Sequence, residues 1–149
     1  MVRPAVEAPT LPRFPEDDFE DRYAAWGGQA MGTRPEFIVF EWLTVRKKLV
    51  FGVDFYFQSS RWGGRMMFGG VVIDFYFPAV NMVWRVMGER FHLLDAADRM
   101  NDQVQRMALV QDGFTVVDLF VEDLETRPDY TLERAWVGQA VYSHYSVGG

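Results

Sequence analysis

Two apolar stretches carry one charged residue each where a charge is costly. VVIDFYFP (71–78) holds Asp74, and NMVWRVMG (81–88) holds Arg85 eleven residues later. Metal-dependent phosphodiester chemistry would want a second acid where Arg85 stands. Hard oxygen ligands hold the Mg²⁺ that offsets charge on a scissile phosphate, and one carboxylate alone holds that ion weakly. Arginine stays protonated in a protein, so Arg85 can never be a ligand. Other acids that could supply the missing oxygen are Glu36, Glu89, Asp95 and Asp102.

A second constellation is Arg61-Trp62-Gly63-Gly64-Arg65. Two cations, a stacking ring and glycines that admit a close backbone would suit nucleic acid. Tryptophan and arginine are also the commonest anchors of protein interfaces, and a solvated hairpin tip needs neither role. The two histidines, His92 and His144, are too few for a histidine-rich metal site. The glycine clusters lack the Lys-Ser/Thr of a phosphate loop, and Gly69-Gly70 precedes a strand pattern rather than a helix.

The elements that must position these residues are legible in part. Thr33-Arg34-Pro35-Glu36 has the form of a capping box with proline in the first turn, so a helix is expected through Lys48. LVFGVDFYFQ (49–58), 71–78 and 81–88 read as strands, with the glycine-rich 59–70 as a hairpin tip. Their nearly continuous apolar character predicts a sheet covered on both faces. A second helix is expected over 94–112, with Met100, Val104, Met107, Ala108 and Val110 as core filling and Gly113 as its stop. FTVVDLFV (114–121) reads as a fourth strand. Thr126-Arg127-Pro128-Asp129 reads as a second capped helix start. The order predicts an α/β domain with a mixed central sheet of about four strands flanked by helices.

Residues 1–32 form a separate zone with four prolines and an acidic run, EDDFED, and an extended arm is expected there. The α/β domain is expected over 33–137, and 138–149 as a small polar tail. At 149 residues with 49% apolar and 16% aromatic content, the chain supports one core and is too apolar for a disordered protein. It has no cysteine, which excludes disulfides and thiolate metal sites. Charges interrupt every apolar run, and the N-terminus has prolines and acids where a secretion signal needs basic then apolar residues. A protein that is neither secreted nor membrane-embedded is expected, in a virion or the host cytoplasm. The net charge of −6 favours protein partners over a DNA backbone, although a local basic groove would still admit DNA.

The order and spacing of these pieces resemble the PD-(D/E)XK restriction-endonuclease-like fold, in its branch related to very-short-patch-repair endonucleases. The matching pieces are Ile73-Asp74-Phe75 with Pro78, then Trp84 to His92, then Asp102 to Arg106 running on to Leu109, Gly113, Phe114 and Val116. Pro35-Glu36 and Phe57-Gln58 match upstream. The resemblance implies that Asp74 ligates Mg²⁺ and that a glutamate eleven residues later completes the site. Arg85 breaks that pattern. The expectation is therefore a degenerate site with no catalytic residue and no cofactor, closed by an Asp74–Arg85 ion pair. The alternatives are a Mg²⁺-dependent DNA endonuclease using Asp74 with Glu36 or Glu89, and a non-cleaving nucleic-acid binder using Arg61, Trp62, Arg65 and Arg85. Pro35 to Leu43, Phe57 to Phe75 and Arg127 to Ala135 also resemble a phage-encoded subgroup lacking the strand glutamate. This implies a virion component that docks to neighbouring subunits or to copies of itself.

Overall fold

The computed structural model describes residues 16–59, 67–68, 71–88 and 95–141. Helix α1 (Glu16–Trp26) is followed by α2 (Arg34–Glu41), which runs into a π-helical turn at Trp42–Arg46. Strands β1 (Tyr56–Phe57), β2 (Met67–Phe68), β3 (Val71–Val72), β4 (Phe75–Phe77) and β5 (Met82–Met87) come next. Helix α3 (Ala96–Gln111), strand β6 (Thr115–Phe120) and helices α4 (Val121–Thr126) and α5 (Pro128–Trp136) complete the order. The main sheet is mixed and four-stranded, ordered β1-β4-β5-β6, as expected from the sequence. Its first two pairings are antiparallel, while β5 and β6 run parallel and are joined through α3. Strands β2 and β3 form a separate antiparallel pair.

The capping box forms as its sequence dictates. The Thr33 hydroxyl accepts from the Glu36 N–H at 3.2 Å, and the Glu36 carboxylate accepts from the Thr33 N–H at 2.9 Å. Downstream, Lys47 Nζ lies 5.1 Å and 5.3 Å above the rings of Trp42 and Trp136, tying the end of this helix to α5.

One sheet face packs Trp42, Leu43, Phe55, Phe75, Trp84 and Leu132 into the main core. The opposite face carries a smaller cluster of Ile73, Val83, Leu109 and Val116 beneath α3. Val83 and Trp84 are consecutive, point to opposite faces and are both fully buried. That is why β5 reads as an apolar run broken only by Arg85.

Four expectations need correction. The extended arm does not reach residue 32, because its prolines stop at Pro15 and α1 begins at Glu16. Acids in the first turn suit the helix dipole, and Phe19, Tyr23 and Trp26 make one aromatic stripe against Phe37. The Tyr23 hydroxyl donates to the Gly32 carbonyl at 2.7 Å, and Arg22 bridges to Glu41. Residues 1–15 lie outside the described residues.

The strand expected over 49–58 shrinks to Tyr56–Phe57. Gly52 takes a left-handed φ of 85°, the Asp54 carboxylate accepts from the Val50 N–H, and the Val53 and Asp54 N–H groups bond the Val50 carbonyl. Local turn chemistry thus overrides the β propensity of the valines.

The second capping box does not form. The Thr126 hydroxyl instead donates to the Glu122 carbonyl at 2.7 Å, closing α4, and α5 starts at Pro128 without a side-chain cap. The apolar stripe of α3 is not core. Met100, Val104, Met107 and Val110 are 68%, 59%, 52% and 49% exposed, and of the helix only Leu109 is buried.

Gly32 marks the tightest packing between α1 and α2. A Cβ there would sit 2.8 Å from Glu36 Oε1, 3.0 Å from the Trp26 ring and 3.1 Å from the Phe57 ring. Gly32→Ala is expected to lower stability by about 1–3 kcal/mol in urea unfolding, the usual cost of overpacking a filled site.

Candidate functional site

The register of β5 and β6 sets the centre of the site. Arg85 is the partner of Asp118, so both side chains leave the same sheet face, the one covered by α3. Their side chains are only 6% and 8% exposed. Arg85 Nε donates to Asp118 Oδ1 at 2.7 Å and its NH2 donates to Asp118 Oδ2 at 3.0 Å, a two-pronged pair. From α3, Asp102 accepts from Arg85 NH1 at 2.9 Å and NH2 at 3.3 Å.

One helical turn on, Arg106 adds a fourth member to this ion cluster. Its Nε lies 3.4 Å from Asp118 Oδ2, and its NH2 donates to the Val116 carbonyl at 2.9 Å. Spacing i, i+4 on α3 puts Asp102 and Arg106 side by side above the strand pair. Two arginines and two aspartates make a centre with no net formal charge.

The electrostatics run in one direction. Burial works against the Arg85 charge, but the hydrogen bonds and charges of Asp118, then those of Asp102, outweigh it and raise its pKa above the ordinary arginine value. Arg85 is a permanent cation.

No protein-family model, curated protein or solved structure matches this chain. The chemistry of the centre must therefore be read from its own geometry.

Asp74 does something different from the expected ion pair. β4 begins at Phe75, whose register partner is Trp84, yet the Asp74 N–H also bonds the Trp84 carbonyl at 3.1 Å. The chain bends there, and Asp74 Oδ2 accepts from the Val86 N–H at 2.7 Å. Asp74 thus fastens its carboxylate to the backbone of β5, while Arg85 takes Asp118 and Asp102. The Asp74–Arg85 pair is replaced by the four-residue cluster.

The remaining expected residues are scattered. Glu36 is buried at the start of α2, where Oε1 also accepts from the Ser59 hydroxyl at 2.6 Å. Asp95 caps α3 by accepting from the Asp98 N–H at 2.8 Å. Glu89, His92, Arg61, Trp62 and Arg65 lie outside the described residues. Among the described residues, no group of three or more histidine, aspartate or glutamate side chains converges to hold a metal.

These side chains do not fit a divalent cation. Asp102 and Asp118, which converge on Arg85, are held by a guanidinium that would repel Mg²⁺. Two cavities, of about 540 Å³ between α1, α2 and α4 and about 500 Å³ beside Trp136 and Val80, are lined by none of the four residues of the cluster.

Asp118 and Arg106 were missed as site residues, and a signal for them exists. Asp118 is the only charge in TVVDLF, as Asp74 is in VVIDFYF, and a charge in a buried strand requires a partner.

Proposed function

We propose that this chain is a nuclease-like α/β module without metal chemistry. It acts by binding protein, as a structural component of a phage particle or of its assembly in the host cytoplasm. The observation that carries this reading is Arg85 at the sheet centre, gripping Asp118 and Asp102. A cation fixed between a strand acid and a helix acid supports cohesion of the fold and opposes Mg²⁺. A partner surface is supported by the large apolar side chains left exposed on α3. Among the described residues no helix is long and apolar enough to cross a membrane, which fits a particle component.

The test is a plasmid-nicking assay with Mg²⁺ or Mn²⁺ on the full chain. No cleavage above a metal-free control is expected. Cleavage that Asp74→Ala removes would overturn the reading in favour of an endonuclease.

A further inference from the structure

Helix α3 is turned inside out. Its charged residues Asp102 and Arg106, with Leu109, face the sheet, and its apolar stripe faces away from it. At 100° per residue, Met100, Val104 and Met107 lie opposite Asp102, Arg106 and Leu109 on the helical wheel. The outward stripe is therefore not required to hold α3 on the fold, since the ion cluster and Leu109 do that.

Its spacing is specific. Ala97, Met100, Val104, Met107 and Gln111 follow one another at intervals of three, four, three and four. This is the alternation of a helix–helix seam, in which side chains interlock with those of a second helix. The flanking positions are Asn101, Gln103, Ala108 and Val110. Seam and flanks over 97–111 are without charge, in a chain where 24% of residues are charged. The occupant must therefore be a helix whose own facing side is apolar and uncharged.

One such helix is α3 itself. Among the described residues, only α3 exposes more than two large apolar side chains along its length. We infer that α3 pairs with α3 of a second copy, forming a two-fold homodimer. The inference rests on the protein-binding reading above and supplies its partner and its surface. Self-pairing meets no like-charge contact along the seam, despite the net charge of −6 on each chain. Val104 sits at the middle of the helix, so with the two helices in full overlap it meets Val104 of the other copy, whichever way they run. A seam of one helix is small, so the association is of the weak, concentration-dependent kind.

The experiment is sedimentation velocity on the full chain from about 1 to 100 μM, the range in which such interfaces fill. The expected result is a shift from one to two chain masses with rising concentration. Val104→Glu with Met107→Glu is expected to weaken association at least about tenfold, because it places like charges across the seam. Its thermal unfolding should match the parent, since both side chains point to solvent. An equimolar mixture of Val104→Glu and Val104→Lys chains is expected to restore the two-chain species.

A single chain mass at every concentration overturns the dimer and leaves the stripe to a different protein. A dimer indifferent to all these substitutions places the interface elsewhere and also overturns it. Neither result touches the metal-free centre, which the nicking assay tests separately.

Discussion

Arg85→Met is expected to destabilise the protein by about 3–5 kcal/mol in urea unfolding, the cost of stranding a buried charge. The substitution roughly keeps volume and removes only the guanidinium. Asp118 would then keep its charge on a covered sheet face, with Arg106 at 3.4 Å as its remaining cation. Asp102, more exposed than Asp118, would turn to water at smaller cost.

The double variant Arg85→Met, Asp118→Leu should recover most of the loss, because a buried pair replaced by apolar side chains is often neutral or better. A double variant as unstable as the single one would mean that the cluster does not act as a unit. The pH dependence has a definite sign. Arg85 has a raised pKa in the fold, so its contribution is complete below the unfolded value and is lost only as pH rises through the folded one. Both values lie at the far alkaline end, so the Arg85→Met loss should be the same at pH 6 and pH 9.

Trp84→Ala should cost a comparable amount, about 3–5 kcal/mol. Trp84 is fully buried at the centre of the main core, with ring centroids of Phe77 at 4.6 Å, Trp136 at 6.4 Å and Phe75 at 6.5 Å. Truncation removes a contact shared by β4, β5 and α5 and leaves a cavity that three rigid rings cannot collapse to fill. Trp84→Phe separates packing from polarity. The indole N–H of Trp84 is buried with no acceptor among the described residues, so the phenylalanine variant loses volume but none of the hydrogen bonds described. It should recover at least half of the alanine loss, read from urea midpoints at equal slope. Equal losses would mean that the indole N–H has an acceptor after all.

These two neighbours also mark how far the sequence could be read. The apolar run around Trp84 predicted a covered strand, and β5 is one. The Thr33–Glu36 capping box predicted a helix start, and both of its hydrogen bonds form. In each case the determining contacts are local, or depend only on how apolar a short run is. From the sequence Arg85 is expected to pair with Asp74, and the fold gives it Asp118 and Asp102 instead. Asp74 stands eleven residues away in sequence, but the chain bends at Asp74 and turns that carboxylate onto a backbone N–H. Asp118, 33 residues away, became the partner only when β6 aligned in parallel beside β5.

The α3 stripe failed for a related reason. Helical periodicity shows that apolar residues share a face, but not which face meets the sheet. Here an ion cluster claimed the inner face and left Met100, Val104 and Met107 outward.

The sequence by itself determined the α/β class, the order of most elements, the α2 cap and the presence of a permanent cation in a buried strand. Those follow from side-chain chemistry and short-range periodicity. The tertiary structure alone decided which carboxylates meet that cation, which face of α3 is left to solvent, and that residues 16–26 form a helix packed on Phe37. These outcomes depend on register and packing between segments far apart in the chain, where a buried charge must find its partner in space.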